Sequence, residues 1–217
     1  WAMEFFVQSK RAERRLKKDR VLGDEEISHY SSISSRLLAQ EPVQYVTNEA
    51  WFCGSKFYVD KNVLIPRPET EELVEWIVSD QKNKPGITIL DIGSGSGCIP
   101  ISLAKKLPQA SIHSCDISEE ALLVAQKNAL DLSTAVTWHN TDFLQEKNWT
   151  NLPTPNIIVS NPPYIPQIGR LQMDPHVVDY EPAVALFVPD ENALVFYTAI
   201  AKYAMQYCNA TTALYVE

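Results

Sequence analysis

No apolar run in this chain approaches the length needed to cross a membrane, and the N-terminus does not read as a signal peptide. The four cysteines, Cys53, Cys98, Cys115 and Cys208, form no CxxC pair and have no histidine at metal-site spacing. No disulfide framework or metal is therefore expected, and a reducing, cytoplasmic setting is. Internal repeats and low-complexity tracts are absent. So is an initiator methionine: Trp1 stands first, and the natural start is expected to be missing. Basic charge is scarce outside one segment. Lys10 to Arg20 takes seven of the 19 basic residues and two of the 27 acidic ones, leaving 12 basic against 25 acidic in the remainder. Nonspecific DNA affinity comes largely from phosphate neutralisation, so an acidic body argues against a dedicated DNA binder. The basic stretch reads as a solvated helix face or, alternatively, as the one candidate nucleic-acid patch.

What is present describes an ordinary globular protein. With 217 residues, 45% hydrophobic and 21% charged, the chain can hold one sizeable domain and a small appendage. The segment that organises it is Ser160-Asn161-Pro162-Pro163-Tyr164-Ile165-Pro166, which comes directly after the β-branched run Ile157, Ile158, Val159. That run reads as a buried parallel strand, and ligands of open α/β sheets bind outside the carboxyl ends of such strands. Two successive prolines remove backbone donors and fix φ, which leaves carbonyl acceptors, the Asn161 amide and the Tyr164 ring. Such a loop suits a flat group bearing an NH2.

In chain order, Gly23 to Glu26 predicts a helix start with Asp24 as cap. Ile27, Tyr30, Ile33, Leu37 and Leu38 continue it at helical spacing until Glu41-Pro42. Gln44 to Leu64, aromatic and β-branched around Gly54, predicts a hairpin. Pro68 suits a first helical position, with Leu73, Val74 and Ile77 on the buried face; Arg67 before it reads as a surface residue paired with a carboxylate, or as part of a site. Ile87 to Leu90 predicts the first strand of a doubly wound sheet, and Asp91-Ile92-Gly93-Ser94-Gly95-Ser96-Gly97 its exit, where glycine lets backbone come close to a bound nucleoside. A dinucleotide fingerprint needs a small residue where Cys98 stands; the spacing here, with Asp91 in front, is the S-adenosylmethionine pattern. A second strand, Ser111 to Cys115, ends at Asp116, 19 residues past Gly97, where an acid can accept from both ribose hydroxyls or merely close a turn. Ser118 is a candidate helix cap. After a third strand, Val136 to His139, Asp142 is placed to accept the adenine amino group and Phe143 to pack on the ring. His113 and His139 read as structural. The residues from Asn192 to Tyr207 predict a helix, and Ala213 to Val216 a fifth strand.

These residues together resemble the release-factor glutamine methyltransferases, the HemK/PrmC family. The matches are Glu41-Pro42-Val43-Gln44-Tyr45, Leu64 to Thr70 (Leu-Ile-Pro-Arg-Pro-Glu-Thr), Asp91 to Gly97, Ser160 to Ile165 and Tyr180-Glu181-Pro182, in family order from about residue 20 to the end. The Asn-Pro-Pro-Tyr segment is shared with amino-methylating DNA enzymes; the upstream Arg-Pro-Glu-Thr makes the combination specific. The resemblance implies an α/β, Rossmann-like class I methyltransferase fold with a mostly parallel doubly wound sheet, a small helical N-terminal domain and a β-hairpin linker. On this chain the divisions fall at 1–42, 43–64 and 65–217, with the last strands expected to be lacking.

It further implies methyl transfer from S-adenosylmethionine, leaving S-adenosylhomocysteine, to the side-chain amide nitrogen of glutamine in the Gly-Gly-Gln motif of peptide-chain release factors. Asp91, Gly93, Ser94, Gly95, Ser96, Gly97, Asp116, Asp142, Phe143 and Asn161 would meet the cofactor. Asn161, Pro162, Pro163 and Tyr164 would hold the glutamine, with Asn161, Pro162 and Tyr164 as catalytic residues and Arg67 and Glu181 as supporting contacts. A monomer is expected, without membrane association. The chain departs from the family in an N-terminal domain of about half length and in Asn209-Ala210-Thr211-Thr212, which replaces the usual Gly-Gly turn. A ribosomal-protein glutamine methyltransferase, an adenine-N6 or cytosine-N4 nucleic-acid methyltransferase and a noncatalytic cofactor-binding subunit are the competing readings.

Overall fold

Acids favour the first turn of a helix, where the dipole is positive, and Asp24, Glu25 and Glu26 open α1 (Asp24–Leu38). This is a computed structural model, and it describes residues 21–81 and 86–217; the basic stretch Lys10 to Arg20 lies outside the described residues. Gly23, not Asp24, is the N-cap, because the Glu26 carboxylate reaches back to accept the Gly23 N–H at 3.0 Å. Of the apolar positions expected along α1, Ile33 is buried and Ile27, Tyr30 and Leu38 are exposed. Arg36 ties α1 to the next segment, donating to Glu41 and to the Tyr45 carbonyl. Residues expected to be extended from Gln44 onward form a short helix instead, α2 (Val43–Thr47), because Pro42 supplies the entry and its carbonyl accepts the Tyr45 N–H. Asn48, left-handed at φ 54°, ends it. The hairpin is therefore shorter than predicted: β1 (Ala50–Phe52) pairs with β2 (Ser55–Phe57), Ala50 opposite Phe57.

Helix α3 (Pro68–Gln81) buries Leu73, Val74 and Ile77. Strand β3 (Thr88–Ile92) leads through the glycine turn into α4 (Cys98–Lys106); β4 (Ser111–Asp116) leads into α5 (Glu119–Asp131), capped as expected by the Ser118 hydroxyl. Strand β5 (Thr137–Asn140) comes next, and the chain then crosses to β6 (Ile157–Ser160), whose four residues are all buried. Beyond it lie β7 (Ile165–Pro166), α6 (Pro175–Val178), α7 (Ala183–Leu186) and β8 (Phe187–Val188), then α8 (Val195–Tyr207) and β9 (Ala213–Val216). The main sheet is parallel throughout, in the order β5-β4-β3-β6-β9. The turn replacing Gly-Gly before β9 closes with the Thr212 N–H on the Asn209 carbonyl, and none of its residues is left-handed.

Alternation along β3 and β6 sends side chains to two cores. Ile89, Ile157 and Val159 pack with α3, α4 and the hairpin phenylalanines Phe52 and Phe57. Leu90, Ile92 and Ile158 face the other way, against Phe143, Trp149, Ile200 and Tyr203. Parallel strands covered on both faces need continuous apolar sequence, which is what the run Ile157 to Val159 provides.

One buried polar residue fastens the layers. Asn128, on α5, accepts the Tyr58 N–H at 2.7 Å and donates to the Tyr58 and Ser96 carbonyls, both at 2.9 Å. It thus clamps the glycine turn to the segment after the hairpin. Asn128→Ala strands one buried and two part-buried backbone groups and should lower unfolding free energy by about 2 kcal/mol. Urea denaturation checks this, and a loss under ~1 kcal/mol would mean the clamp adds little.

Candidate active site

Two chain exits share one crevice. Strand order reverses between β3 and β6, so the glycine turn after β3 and the Asn161 loop after β6 leave the same sheet edge side by side, at the position where doubly wound sheets bind ligands. A cavity of about 280 Å³ opens there. It is lined by Gly93 to Ser96 from the first exit, Asn161 and Pro163 from the second, Asp116, Asp142 and Phe143 from neighbouring strand ends, and Arg67 and Thr70 from the start of α3.

The glycine turn has the shape of a cradle. Gly93, Gly95 and Gly97 have φ of 89°, 50° and 78°, a region that L side chains rarely adopt. A Cβ added at Gly93 or Gly95 would meet no protein atom within 4 Å, so these positions leave room for a ligand against the backbone. Gly97 serves packing: a Cβ there would come within 2.8 Å of Ile101 Cδ1 and 3.1 Å of Ala125 Cβ. Asp116 holds the turn open, its Oδ2 accepting the Gly95 N–H and its Oδ1 the Ser118 N–H, each at 2.9 Å. Burial raises its carboxyl above the usual range, opposed by those backbone donors. Ser94 spends its hydroxyl on Ser114 at 2.6 Å, so it offers the cavity main chain.

Asp91 and Gly97, unlike the other predicted cofactor residues, do not line the cavity. Asp91 is fully buried on the α3 and α4 side of the sheet, with Oδ2 accepting from Ser114 at 2.5 Å and Oδ1 unpartnered. Asp142 does line the cavity and closes its own turn by accepting the Leu144 N–H. Phe143 lines it too, and its ring lies 5.6 Å from Trp149 and 5.5 Å from Tyr203 in a buried cluster.

Around the second exit, Asn161 Nδ2 donates to Thr70 Oγ1 at 3.0 Å. Pro162 is buried and Tyr164 is 49% exposed, and neither belongs to the lining. Arg67 and Glu181 meet each other at 2.6 Å, and the second Glu181 oxygen accepts the Ile65 N–H. With its side chain 1% exposed and outside this cavity's lining, Glu181 braces α3's approach against the 174–182 segment. His113 and His139, expected to be structural, stack with Nδ1 and Nε2 3.1 Å apart, because adjacent β4 and β5 place them diagonally on one face.

The chain as a whole is similar to known proteins. Residues 70–175 match the methyltransferase small domain and residues 1–47 the PrmC N-terminal domain. The release factor glutamine methyltransferase of Flavobacterium psychrophilum is 41% identical over 218 residues, 99% of this chain and 76% of that protein. The chain belongs to the release factor glutamine methyltransferase family. The family member from Bacteroides thetaiotaomicron is 44% identical over 92% of this chain and 71% of its own length. A SAM-dependent methyltransferase from Agrobacterium tumefaciens superposes with a TM-score of 0.52 at 14% identity, covering 77% of this chain and 51% of that one, and supports the class I fold alone. In a methyltransferase of this family, S-adenosylmethionine is the group that the open glycine cradle and Asp116 fit.

Burial pushes the Asp91 carboxyl up to about 8, against a lowering hydrogen bond from Ser114. A carboxyl whose folded pKa is raised adds stability that is complete below its unfolded value and is lost as pH rises through the folded one. The melting temperature of the wild type relative to Asp91→Asn should therefore fall between about pH 5 and about pH 8. A difference constant across that range would place the ionised carboxylate comfortably in the core.

Proposed function

We propose that this enzyme methylates the side-chain amide nitrogen of the glutamine in the Gly-Gly-Gln motif of peptide-chain release factors. The observation that carries this reading is the position of Asn161: a half-buried amide at the mouth of the cofactor crevice, with its NH2 already engaged by Thr70 and its oxygen left to accept. The relatives' names supply the substrate class. In the same reading the protein works as a cytoplasmic monomer without dedicated DNA binding, and divides into a partial helical recognition region (1–42), a linker (43–64) and the methyltransferase domain (65–217).

An amide nitrogen is a poor nucleophile because its lone pair is delocalised into the carbonyl. S-adenosylmethionine, when bound, supplies an electrophilic methyl group on a sulfonium. The chain's own task is to place and polarise the glutamine. Gly93 to Ser96 and Asp116 would hold the donor, with Asp142 and Phe143 beside them. Asn161 Oδ1 would accept one substrate N–H and the Pro162 carbonyl the other, returning electron density to nitrogen and aiming its lone pair. Tyr164, exposed beside the mouth, would cover the flat amide as it enters. Arg67, braced by Glu181, keeps the start of α3 against the loop. No strong general base is required.

Asn161→Ala should lower turnover on the order of 10²-fold while leaving S-adenosylmethionine affinity nearly unchanged. Methyl-transfer kinetics and calorimetric titration of the cofactor measure the two effects separately. Wild-type turnover in this variant would remove Asn161 from the mechanism.

A further inference from the structure

An asparagine side chain offers oxygen on one arm and NH2 on the other, and the Asn161 reading works only if oxygen faces the substrate. We propose that Thr70 and Glu217 are positioning residues that impose this orientation through a one-way chain of hydrogen bonds. The inference rests on the reading of Asn161 as the substrate's acceptor and adds the device that makes it one.

The direction is fixed from the far end. A carboxylate accepts and cannot donate. Glu217 Oε2 lies 2.7 Å from Thr70 Oγ1, so the threonine spends its single hydroxyl proton there. Thr70 then has only lone pairs for Asn161, 3.0 Å away, and the atom it meets must be the Nδ2 donor. The other arm of the amide, Oδ1, is what Asn161 leaves for the cavity that both residues line. Without Glu217 the hydroxyl is free to donate to Asn161, the amide can turn over, and NH2 would then confront the N–H of the substrate.

Three elements converge to build this chain. Thr70, 3% exposed, sits in the opening turn of α3. Asn161 and Glu217 are the first residues past β6 and β9, whose register sets Ser160 opposite Val216. Glu217's main chain is held as well: its N–H donates to the Ser160 carbonyl at 3.1 Å, and its carbonyl accepts the Tyr197 hydroxyl at 2.7 Å. A side chain anchored in this way can serve as a fixed terminus.

The test compares Thr70→Val, Thr70→Ser and Glu217→Ala in the full-length enzyme, each alone and with Asn161→Ala. Turnover of methyl transfer, cofactor affinity by calorimetry and thermal melting are measured for each. Thr70→Val and Glu217→Ala should each lower kcat about tenfold or more, with cofactor affinity within about twofold, and Thr70→Ser should keep most of the activity. Added to Asn161→Ala, neither should reduce the residual turnover by more than about twofold, because both act through Asn161. Full turnover in both single variants alongside an impaired Asn161→Ala would overturn the chain and leave the acceptor reading standing. Additive losses in the double variants would make Thr70 and Glu217 merely structural, which also overturns it. An active Asn161→Ala would remove both ideas at once. Where Thr70→Val fails to fold, Glu217→Ala carries the same comparison.

Discussion

The parallel pairing of β3 with β4 on one side and β6 on the other is the constraint on which the rest depends. Parallel strands all end at the same edge, so reversing the winding direction between β3 and β6 leaves a crevice that no crossover connection covers. The glycine turn and the Asn161 loop are forced into proximity there although some 60 residues separate them in sequence. The apolar runs that bury both faces of these strands thus fix the site's geometry before any polar residue contributes.

Polar residues then set the detail, each by saturating hydrogen bonds in a buried place. Asp116 takes two backbone N–H groups and shapes the turn around Gly95. Asn128 holds that turn from behind through Ser96 while securing the strand exit at Tyr58. Arg67 and Glu181 join the start of α3 to the 174–182 loop across 114 residues of sequence. Breaking one partner of such a pair leaves a buried charge uncompensated, so its value lies in fixing the loop's place more than in net stability. The outcome is a rigid frame on which a single amide, Asn161, can be aimed.

Features governed by local chemistry were legible in the sequence. The strand, acid and spaced glycines around Asp91 to Gly97, the Ser118 cap, the acid ending β4 and the buried strand before Asn161 all result from turn chemistry and side-chain alternation within a few residues. Contacts closed by tertiary structure were not. Thr70 and Glu217 lie 147 residues apart, and no pattern near either marks them as partners. Phe143 was legible as a residue of the cavity; that Trp149, six residues on, and Tyr203 from α8 pack around its ring was not. Val43 to Thr47 has the composition of a strand, and Pro42 and Asn48 at its ends make it a helical turn. Asp24 lost the capping position because Glu26 reaches back to Gly23. Arg67 and Glu181 were legible as residues of interest; that they are each other's partners was not.

The most direct measurement is tandem mass spectrometry of a release factor, a ribosomal protein and duplex DNA after incubation with the full-length enzyme and isotopically labelled S-adenosylmethionine in one mixture. The account predicts one labelled methyl group on the side-chain amide of the Gly-Gly-Gln glutamine of the release factor, with the other two substrates unlabelled. Label on an adenine or cytosine amino group, or on a ribosomal protein with the release factor untouched, would contradict it.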